Sequence, residues 1–479
     1  MLGISKDEFI RDFSRAVNSD SAAVFAGAGL SRPSGFVDWK ELLREIAEDL
    51  NLDIDKESDL VGLAQFHLNQ RKNRSRLNDK LIDEFTKNAI ITENHKILAR
   101  LPLVSIWTTN YDTLIEDSIR SAGRKPDVKI THSNLAQTRP SHDVVVYKMH
   151  GDISQPQDAV ITKDDYESYE STHRLFVEKL QGDLVSTTFL FLGFSFTDPN
   201  IDYVLSRVRV LLGTNQRTHY CIMRQPKPPK RNGKSSAEYE YEKRRLELRI
   251  DDLKRFAIQT VLVKEYDEIT ELLRAVSKKA HKRNIFVSGS ASEYGVFSEV
   301  RLNKFSRRIG RELIERNYNL VSGFGRGLGE QVILGALEGI YHTQKGDDSN
   351  RIILRPFPRA TPGYGDQETS NTSHREDLIS QSGAVIFLCG NRLYNGTIGT
   401  SKGVLEEFKI AKMLDRYPIP ISCTGYAAEE VWNEIEHNVN TFFPMKGVIT
   451  AFRTLGDLSK NDDDLIAALF KILEKVMID

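Results

Sequence analysis

The sequence contains few cysteines and almost no excess of charge of either sign. Only Cys221, Cys389 and Cys423 occur among 479 residues, too few and too scattered for a disulfide framework or a four-cysteine zinc site. The 66 basic and 67 acidic residues leave a net charge of −1, which gives no electrostatic footprint for nucleic acid or a membrane surface. We therefore expect a protein of the reducing cytoplasm that binds neither nucleic acid nor membranes.

Long apolar runs are also absent. No stretch reaches the roughly 18 consecutive apolar residues of a membrane-spanning helix. The N-terminal segment alternates charged and apolar residues, so we do not expect a secretory signal there. Hydrophobic residues make up 40% and charged residues 28% of the chain, an ordinary globular mixture. This composition excludes overall disorder, collagen and coiled coil, and the length allows two or three domains.

Short apolar runs that end in glycine or polar residues alternate with helix-like stretches along the chain. This rhythm predicts parallel sheets with crossover helices. The strand candidates of the first half are SAAVFAGAG, LVSIWTTN, DVVVYKMHGD, TTFLFLGFS and THYCIMRQ. Those that follow residue 283 are RNIFVSGS, YNLVSGFG, RIILRPFP, GAVIFLCG and YPIPISCTG. We predict an α/β protein with two Rossmann-like parallel-sheet domains, residues 1–283 and 284–479.

Two helical segments complete this interpretation. Residues 250–283 are predicted to be helical and to finish the first domain. The C-terminal segment is predicted to form an amphipathic helix that packs on the core through Leu465, Leu469, Ile472 and Val476.

A glycine-rich loop follows the first predicted strand. In Gly27-Ala28-Gly29-Leu30-Ser31, the glycines let backbone amides approach a pyrophosphate, and the next helix would add its positive N-terminus. Arg32 stands where the usual dinucleotide fingerprint has its third glycine, which argues against an ordinary dehydrogenase. The alternative is a tight turn between strand and helix without a ligand.

Three further predicted strands end in polar motifs. These motifs contain Asn110 and Asp112, then His150, then Ser195. Because ligands in open α/β sheets bind beyond the carboxyl ends of the strands, we expect these side chains to converge. Taken singly, each has an ordinary alternative explanation, as a turn histidine or as a helix-capping asparagine, aspartate or serine.

Together the four motifs resemble the signature of sirtuin-like NAD-consuming domains. In order they are G-A-G-L-S followed by Asp38, T-T-N-Y-D, K-M-H-G-D and L-G-F-S-F-T-D-P-N. The resemblance implies a pocket for extended NAD+, with Asn110 and His150 as catalytic residues. His150 would act as general base, and Asn110 would hold the water or the ribose. The NAD-binding residues that the resemblance implies are Gly27, Ala28, Gly29, Ser31, Asp38, Asp112, Gly193 and Ser195.

The resemblance gives some of these residues individual roles. Asp112 would meet the nicotinamide carboxamide, and Ser195 would lie near the adenosine ribose. The sequence also departs from the sirtuin deacylases. No cysteine precedes Cys221, so their zinc module has no counterpart, and Thr109 takes the place of their glutamine.

We therefore expect a metal-free NAD+ glycohydrolase that converts NAD+ and water to ADP-ribose and nicotinamide. The alternatives are an NAD-dependent protein deacylase and a non-catalytic nucleotide receptor.

The second half repeats a nucleotide-binding pattern with different loops. It resembles the SLOG superfamily, relatives of the LOG enzymes, in three features: the glycine-rich loop after YNLVSG, the G-T-I-G-T segment and the V-L-E-E helix. The G-T-I-G-T-S-K-G-V-L-E-E spacing is longer than that of LOG enzymes, which favours binding over the alternative, a nucleotide phosphoribohydrolase. The predicted effector-binding residues are Gly289, Ser290, Phe324, Gly325, Arg375, Arg392, Gly399, Thr400 and Glu407.

Three of these side chains carry specific expectations. Arg375 and Arg392 are expected to pair with ligand phosphate, and Glu407 is expected to accept from ribose hydroxyls. The alternative for Arg375 is an ion pair with a neighbouring acid on a surface helix.

A sirtuin-like domain followed by a SLOG domain resembles the effector family of the Thoeris anti-phage defence system. The resemblance implies that the SLOG domain binds a cyclic ADP-ribose isomer made by a partner TIR-domain protein. Binding would release NAD+ hydrolysis, and depletion of NAD would halt the infected cell. It also implies a homo-oligomer, typically a tetramer, with higher assembly on activation.

Overall fold

The chain forms two compact units. The computed structural model describes residues 3–137, 139–228, 236–343, 351–357, 367–394 and 396–477. The units are Met1–Ser277 and Lys278–Asp479, and the boundary predicted after residue 283 lies close to this division. None of the helices in these described ranges is both long and apolar enough to cross a membrane.

A seven-stranded parallel sheet forms the centre of the first unit. Its strands are β1 (Ala22–Ala26), β2 (Ser105–Thr108), β3 (Pro126–Lys129), β4 (Val144–Lys148), β5 (Thr188–Leu192), β6 (His219–Arg224) and β7 (Ile258–Val263). Their order across the sheet is β3-β4-β2-β1-β5-β6-β7, and every neighbouring pair is parallel. Every residue of β1 and β5 is buried, as expected for central strands covered on both faces.

Helices connect these strands. They are α1 (Lys6–Asn18), α2 (Ala28–Ser31), α3 (Trp39–Leu42), α4 (Arg44–Asp49), α5 (Leu60–Arg71), α6 (Ser75–Phe85), α7 (Glu93–Arg100), α8 (Leu114–Ser121), α9 (His132–Leu135), α10 (Lys163–Thr172), α11 (Arg174–Ser186), α12 (Pro199–Leu212), α13 (Ser236–Lys254) and α14 (Asp267–Ala280). Short 3-10 turns occur at Arg32–Ser34 and Pro156–Asp158.

The second unit contains a five-stranded parallel sheet and a separate hairpin. The sheet is formed by β8 (Asn284–Ser290), β9 (Asn319–Ser322), β10 (Ile352–Leu354), β11 (Ala384–Cys389) and β14 (Tyr417–Pro420), and the hairpin by β12 (Asn391–Tyr394) and β13 (Thr397–Thr400). The sheet order is β10-β9-β8-β11-β14. The helices are α15 (Glu299–Glu315), α16 (Gly329–Thr343), α17 (Gln367–Ser380), α18 (Lys402–Met413), α19 (Ala427–Glu436), α20 (Val439–Phe442), α21 (Val448–Thr454) and α22 (Asp462–Met477), with a 3-10 turn at Ser422–Thr424.

The prediction of two parallel-sheet α/β domains is confirmed. All ten predicted strands are present, and the four apolar positions of the C-terminal helix are buried in α22. The prediction of an uninterrupted helical segment over 250–283 is wrong, because Ile258–Val263 forms β7 between α13 and α14. Its short β-branched run pairs with β6 at the edge of the sheet.

Glycines let the two helices α15 and α16 pack backbone to backbone. A Cβ atom added at Gly310 would lie 1.9 Å from the Val332 carbonyl oxygen, and one at Gly335 would lie 1.7 Å from the Arg307 carbonyl oxygen. Neither distance is sterically possible, so only glycine fits at this crossing. Because α16 begins at Gly329, just after the loop that follows β9, the crossing also positions that loop.

We expect Gly335→Ala to lower the free energy of unfolding by about 2–4 kcal/mol, since the added methyl forces the two helix backbones apart. The matched control is Gly182→Ala in α11, where an added Cβ meets no atom within 4 Å. That control should raise the stability by up to about 1 kcal/mol through helix propensity. Thermal and denaturant unfolding of the full chain measure both, and equal effects of the two substitutions would contradict this account of the crossing.

Candidate functional site

The strand order of the first sheet places a crevice at the carboxyl ends of β1 and β5. The chain passes from β1 to β2 on one side and later returns to β5 on the other side. Open α/β sheets bind their ligands beyond the carboxyl ends of the strands at such a topological switch point. The predicted glycine loop follows β1, and the motif with Gly193 and Ser195 follows β5.

Three glycines bring these two loops into backbone contact. The Gly27 and Gly29 amides donate to the carbonyls of Leu192 at 3.0 Å and Gly193 at 2.9 Å. A Cβ at Gly27 would lie 2.5 Å from the Gly193 oxygen, and one at Gly193 would lie 2.4 Å from the Leu30 nitrogen. Gly193 also has a φ of +63°, which favours glycine. The loop thus requires glycine for packing as well as for any approach of a ligand.

The helix that follows the glycine loop is shorter than the sequence indicates. It is the single turn α2, continued by the 3-10 turn Arg32–Ser34. A turn of this length carries little of a helix macrodipole, so the expected contribution of a positive helix N-terminus is wrong. Ala28 and Gly29 are exposed on the loop, whereas Ser31 is buried.

Asn110 lies against the glycine loop. Its side-chain Nδ2 donates to the Gly27 carbonyl at 3.2 Å and to the Ser31 hydroxyl at 3.0 Å. Thr108 supports it from the end of β2, because its hydroxyl donates to the Ala26 carbonyl at 2.9 Å and accepts from the Asn110 amide at 3.0 Å. The structure therefore joins the predicted catalytic asparagine to the predicted phosphate loop.

The two carboxylate oxygens of Asp112 have different surroundings. Its Oδ1 accepts from the Leu114 amide at 3.0 Å, just before α8 begins. Its Oδ2 is buried and has no hydrogen-bond partner among the residues that the structure describes. A buried carboxylate oxygen without a partner is costly unless a ligand supplies a donor. A carboxamide NH2 would satisfy it.

His150 is buried at the exit of β4. Its Nε2 lies 3.3 Å from Asp198 Oδ2 but makes no hydrogen bond within the described part of the chain. The rings of Tyr166 and Tyr169 meet the imidazole edge-on, with centroids 5.4 and 5.9 Å away. Burial lowers the pKa of His150, and the carboxylates of Asp198 and Asp165 oppose this shift. The imidazole is thus neutral at neutral pH and able to accept a proton.

Asp198 is a site residue that the sequence reasoning missed. Its Oδ1 caps α12 by accepting from the amides of Asn200 at 2.9 Å and Ile201 at 3.3 Å, while its Oδ2 faces His150. The D-P-N sequence signals a helix N-cap with proline at the first helical position. This sequence pattern predicts the helix cap but does not predict that Asp198 faces His150.

Ser195 and Asp38 do not join this group through direct contacts. The exposed Ser195 hydroxyl bonds to the Thr197 hydroxyl at 2.7 Å. Asp38 caps α3 by accepting from the Glu41 amide at 3.1 Å, and its carboxylate lies 3.5 Å from the Arg32 guanidinium. Asp38 and Arg32 line an open cleft of about 440 Å³ together with Lys40 and Arg44. The NAD-binding roles of Ser195 and Asp38 stay predictions.

In the second unit, the end of β8 and the loop after β9 are in contact. A Cβ at Gly325 would lie 2.1 Å from the Gly289 oxygen, so glycine is required at this contact. Phe324 has a φ of +59° and its ring is half exposed. The Ser290 hydroxyl donates to the Asn391 carbonyl at 2.9 Å, which links the β8 loop to the segment after β11. Four of the predicted effector residues thus lie on one connected edge of this sheet.

Arg375 and Glu407 form a second, buried part of this site. The Ser288 hydroxyl donates to Glu407 Oε2, while Arg375 lies 3.6 Å from Glu407 Oε1 and 2.7 Å from Glu406 Oε2. Arg375 therefore forms the ion pair considered as its alternative, although it is largely buried. Its Nε is buried without a hydrogen-bond partner in the described residues. Burial raises the pKa of Glu407 to about 7, and the contacts with Ser288 and Arg375 oppose this rise.

Arg392, Gly399 and Thr400 lie on the hairpin instead. Arg392 is opposite Gly399 in its register, and the Thr400 hydroxyl donates to Glu430 Oε1 at 2.7 Å. The structure shows no direct contact between these three and the Arg375–Glu407 pair. Their effector-binding roles stay predictions.

Asn391 was missed as a site residue. It is fully buried, and its Oδ1 accepts from the amides of Ser292 at 2.7 Å and Glu293 at 3.0 Å. It holds the β8 loop in place. Its position after a strand gave a weak signal that the sequence reasoning did not use.

The described residues contain no group of three or more His, Cys, Asp or Glu placed to hold a metal ion. The expectation of a metal-free site stays a prediction. All three cysteines are free and buried.

Comparison with known proteins agrees with the two-part organisation. Residues 104–248 match the family described as SIR2-like domain, and residues 268–476 match the Sir2- and TIR-associating SLOG family. The protein named NAD(+) hydrolase ThsA of Bacillus cereus (strain MSX-D12) is 45% identical over 91% of this chain and 90% of its own length. The chain belongs to the ThsA family.

Two further relatives carry the same name. NAD(+) hydrolase ThsA of Cytobacillus dafuensis is 41% identical over 98% of this chain and 97% of its own length, and that of Enterococcus faecium is 41% identical over 98% and 100%. The resemblance to sirtuin-like and SLOG domains is thus confirmed. The SIR2-like match contains Asn110, His150 and Ser195, and the SLOG match contains every predicted effector residue.

The buried Glu407 predicts an inverse pH dependence of stability. Between the unfolded value of 4.5 and the folded pKa of about 7, the folded chain keeps the proton that the unfolded chain releases, so stability falls as pH rises. Glu407→Gln mimics the protonated carboxyl and should remove this loss. At each pH, the free energy of unfolding of the variant is compared with that of the unsubstituted chain. We expect this difference to favour the variant more at pH 8 than at pH 5, by up to about 3 kcal/mol. An equal difference in Tm at both pH values would contradict this.

Proposed function

We propose that the first unit is an NAD+ glycohydrolase, and that the second unit activates it on binding a cyclic ADP-ribose isomer. One observation carries the catalytic part. At the carboxyl ends of the strands, the Asn110 side-chain amide is hydrogen-bonded to the glycine loop, and the buried Asp112 Oδ2 and His150 Nε2 make no hydrogen bond with the described residues. The relatives' name, NAD(+) hydrolase, supports this reaction.

The reaction breaks the bond between C1′ of the ribose and the nicotinamide nitrogen. The electron pair of that bond goes to the pyridinium ring, which leaves as neutral nicotinamide, and the sugar develops oxocarbenium character. A water molecule then adds to C1′ and forms ADP-ribose. The proton of that water goes to His150 Nε2, and Asp198 Oδ2 at 3.3 Å stabilises the imidazolium.

The remaining residues would bind and orient NAD+. Ala28 and Gly29 are exposed on the loop after β1, and the cleft lined by Arg32, Lys40 and Arg44 supplies basic side chains that suit the pyrophosphate. Asp112 Oδ2 would accept from the nicotinamide carboxamide. Asn110 would hold the water or the ribose next to His150.

Activation would begin at Arg375. The Arg375 guanidinium is held by Glu406 and Glu407, and its Nε, 3.6 Å from Glu407 Oε1, makes no hydrogen bond within the described residues. A phosphate of the cyclic nucleotide offers the planar guanidinium a stronger bidentate partner. The family description that names TIR association supports a TIR-domain protein as the source of the ligand.

The same family relation supports a proposed cellular setting. We place the protein in the cytoplasm, as a homo-oligomer of four or more subunits whose activation depletes NAD in antiviral (Thoeris) defence. The three free, buried cysteines agree with a reducing compartment. An NAD+ hydrolase must be restrained until infection, and only a ligand with different affinities for the two states shifts that equilibrium.

The catalytic proposal is tested by nicotinamide release from NAD+. The full chain should release nicotinamide when cyclic ADP-ribose isomers are added and no acyl-peptide is present. Asn110→Ala and His150→Ala should each lower the rate by about 100-fold or more, since both remove a group that acts on the reacting water or ribose. His142→Ala is the control and should retain full activity, because this half-buried histidine bonds the Arg139 carbonyl through Nδ1 and contacts none of the proposed catalytic residues in any hydrogen bond of the described residues. Release that needs an acyl-peptide, or that survives both substitutions, would contradict the proposal.

The sensor proposal is tested by Arg375→Gln. We expect this variant to lose at least 90% of the ligand-induced increase in rate. The reason is that losing one charge-assisted bidentate contact weakens ligand binding by about 1.5–3 kcal/mol, which is roughly tenfold or more in affinity. Arg301→Gln is the matched control, because Arg301 pairs with Asp462 instead. Titration of NAD+ cleavage with each isomer measures both variants. Equal activation of Arg375→Gln and the control would refute the role of Arg375.

A further inference from the structure

A fully buried lysine links the two loops that carry the proposed catalytic residues. Lys148 is the last residue of β4 and has no exposed surface. Its ammonium donates to the backbone carbonyls of Tyr111, at 3.3 Å, and Asp112. It also contacts the carboxylates of Glu116, at 3.1 Å, and Asp152. All four partners are oxygen atoms of residues that are themselves buried.

The fold alone gives no reason for a cation at this position. The preceding strand residues are apolar, and both Val146 and Tyr147 are buried. Burying an ammonium carries a desolvation penalty of several kcal/mol, and an apolar side chain of similar volume is often as stable. Burial lowers the pKa of Lys148, but the carboxylates of Glu116 and Asp152 outweigh this and keep the ammonium charged.

The contacts of Lys148 span two separate loops. β2 and β4 are neighbours, with Thr108 opposite Lys148, so the loops that follow them lie side by side. The ammonium binds backbone carbonyls of the loop after β2, directly next to Asn110. It binds the Asp152 carboxylate in the loop after β4, two residues beyond His150. Asp152 closes its own loop by accepting from the Ser154 amide at 2.8 Å.

We propose that Lys148 is a positioning residue of the active site, which holds the Asn110–Asp112 segment at a fixed distance from the His150–Asp152 segment. With no exposed surface, Lys148 acts through the two loops. The inference rests on the proposed NAD+ hydrolysis. A misplacement of catalytic groups by about 1 Å can lower the rate about 100-fold. Loss of the Lys148 contacts should therefore lower mainly kcat.

The same sheet offers a matched control. Lys129 on β3 is 4% exposed, its Nζ lies 2.8 Å from Asp127 Oδ2, and it also donates to the Gln137 carbonyl. It is a buried lysine paired with an aspartate, like Lys148. None of these partners belongs to the two loops. Lys129→Met therefore removes a comparable buried cation without loosening the proposed active site.

The experiment compares Lys148→Met and Lys129→Met in the full chain, under the activating conditions that give maximal nicotinamide release. We expect both substitutions to lower Tm. Only Lys148→Met should lower kcat, by about 10- to 100-fold, and this fall should exceed any rise in KM for NAD+, since the binding loop after β1 is intact. Assays are run well below the Tm of either variant.

A second substitution covers the case in which Lys148→Met does not fold. Asp152→Asn keeps the shape of the partner and removes its charge, and it should lower kcat in the same way by a smaller factor. An unchanged kcat in Lys148→Met would overturn the positioning role. If Lys148→Met does not fold, an unchanged kcat in Asp152→Asn would overturn it. Equal losses of kcat in Lys148→Met and Lys129→Met would overturn it as well. An unsubstituted chain that releases no nicotinamide with any isomer would overturn the proposed function, and this inference with it.

Discussion

The direct backbone contact of Gly27 and Gly29 with Gly193 is the constraint on which the rest of the first unit's site depends. It closes the loops after β1 and β5 onto each other at the switch point of the sheet, with no room for a Cβ atom. Asn110 is then fixed to the same loop through Gly27 and Ser31. The contact fixes the backbone of this loop, and such preorganisation lowers the cost of ordering a site on binding.

Buried charge performs different tasks in the two units. In the first unit, the Lys148 ammonium contacts four oxygen atoms and holds two loops together. In the second unit, Arg375 divides its contacts between two carboxyls and has an unused donor among the described residues. A buried cation whose hydrogen bonds are all made suits a catalytic site that requires constant geometry. A buried cation that still has a donor without a hydrogen bond suits a site that must respond to a ligand.

Much of the fold could be predicted from the sequence, because central parallel strands such as β1 and β5 are continuous apolar runs that end in glycine. The edge strand β7 was taken for helix because its six residues lie between charge-dense helical segments. Asn110, His150 and the glycine loop were identified through motifs at strand ends. The roles of Asp198 and Lys148 depend on contacts across the fold, and their local sequence shows only a helix cap and the end of a strand.

The central claim is that NAD+ lies across the crevice at β1 and β5, with its nicotinamide ribose between Asn110 and His150. An experimental structure of the Asn110→Ala variant with NAD+ tests it most directly, because slow cleavage leaves the substrate intact. The account predicts the pyrophosphate against the Gly27–Ser31 loop, the carboxamide at Asp112 Oδ2 and C1′ of the ribose facing His150 Nε2. NAD+ bound only in the second unit, or with its nicotinamide ribose away from His150, would contradict the account.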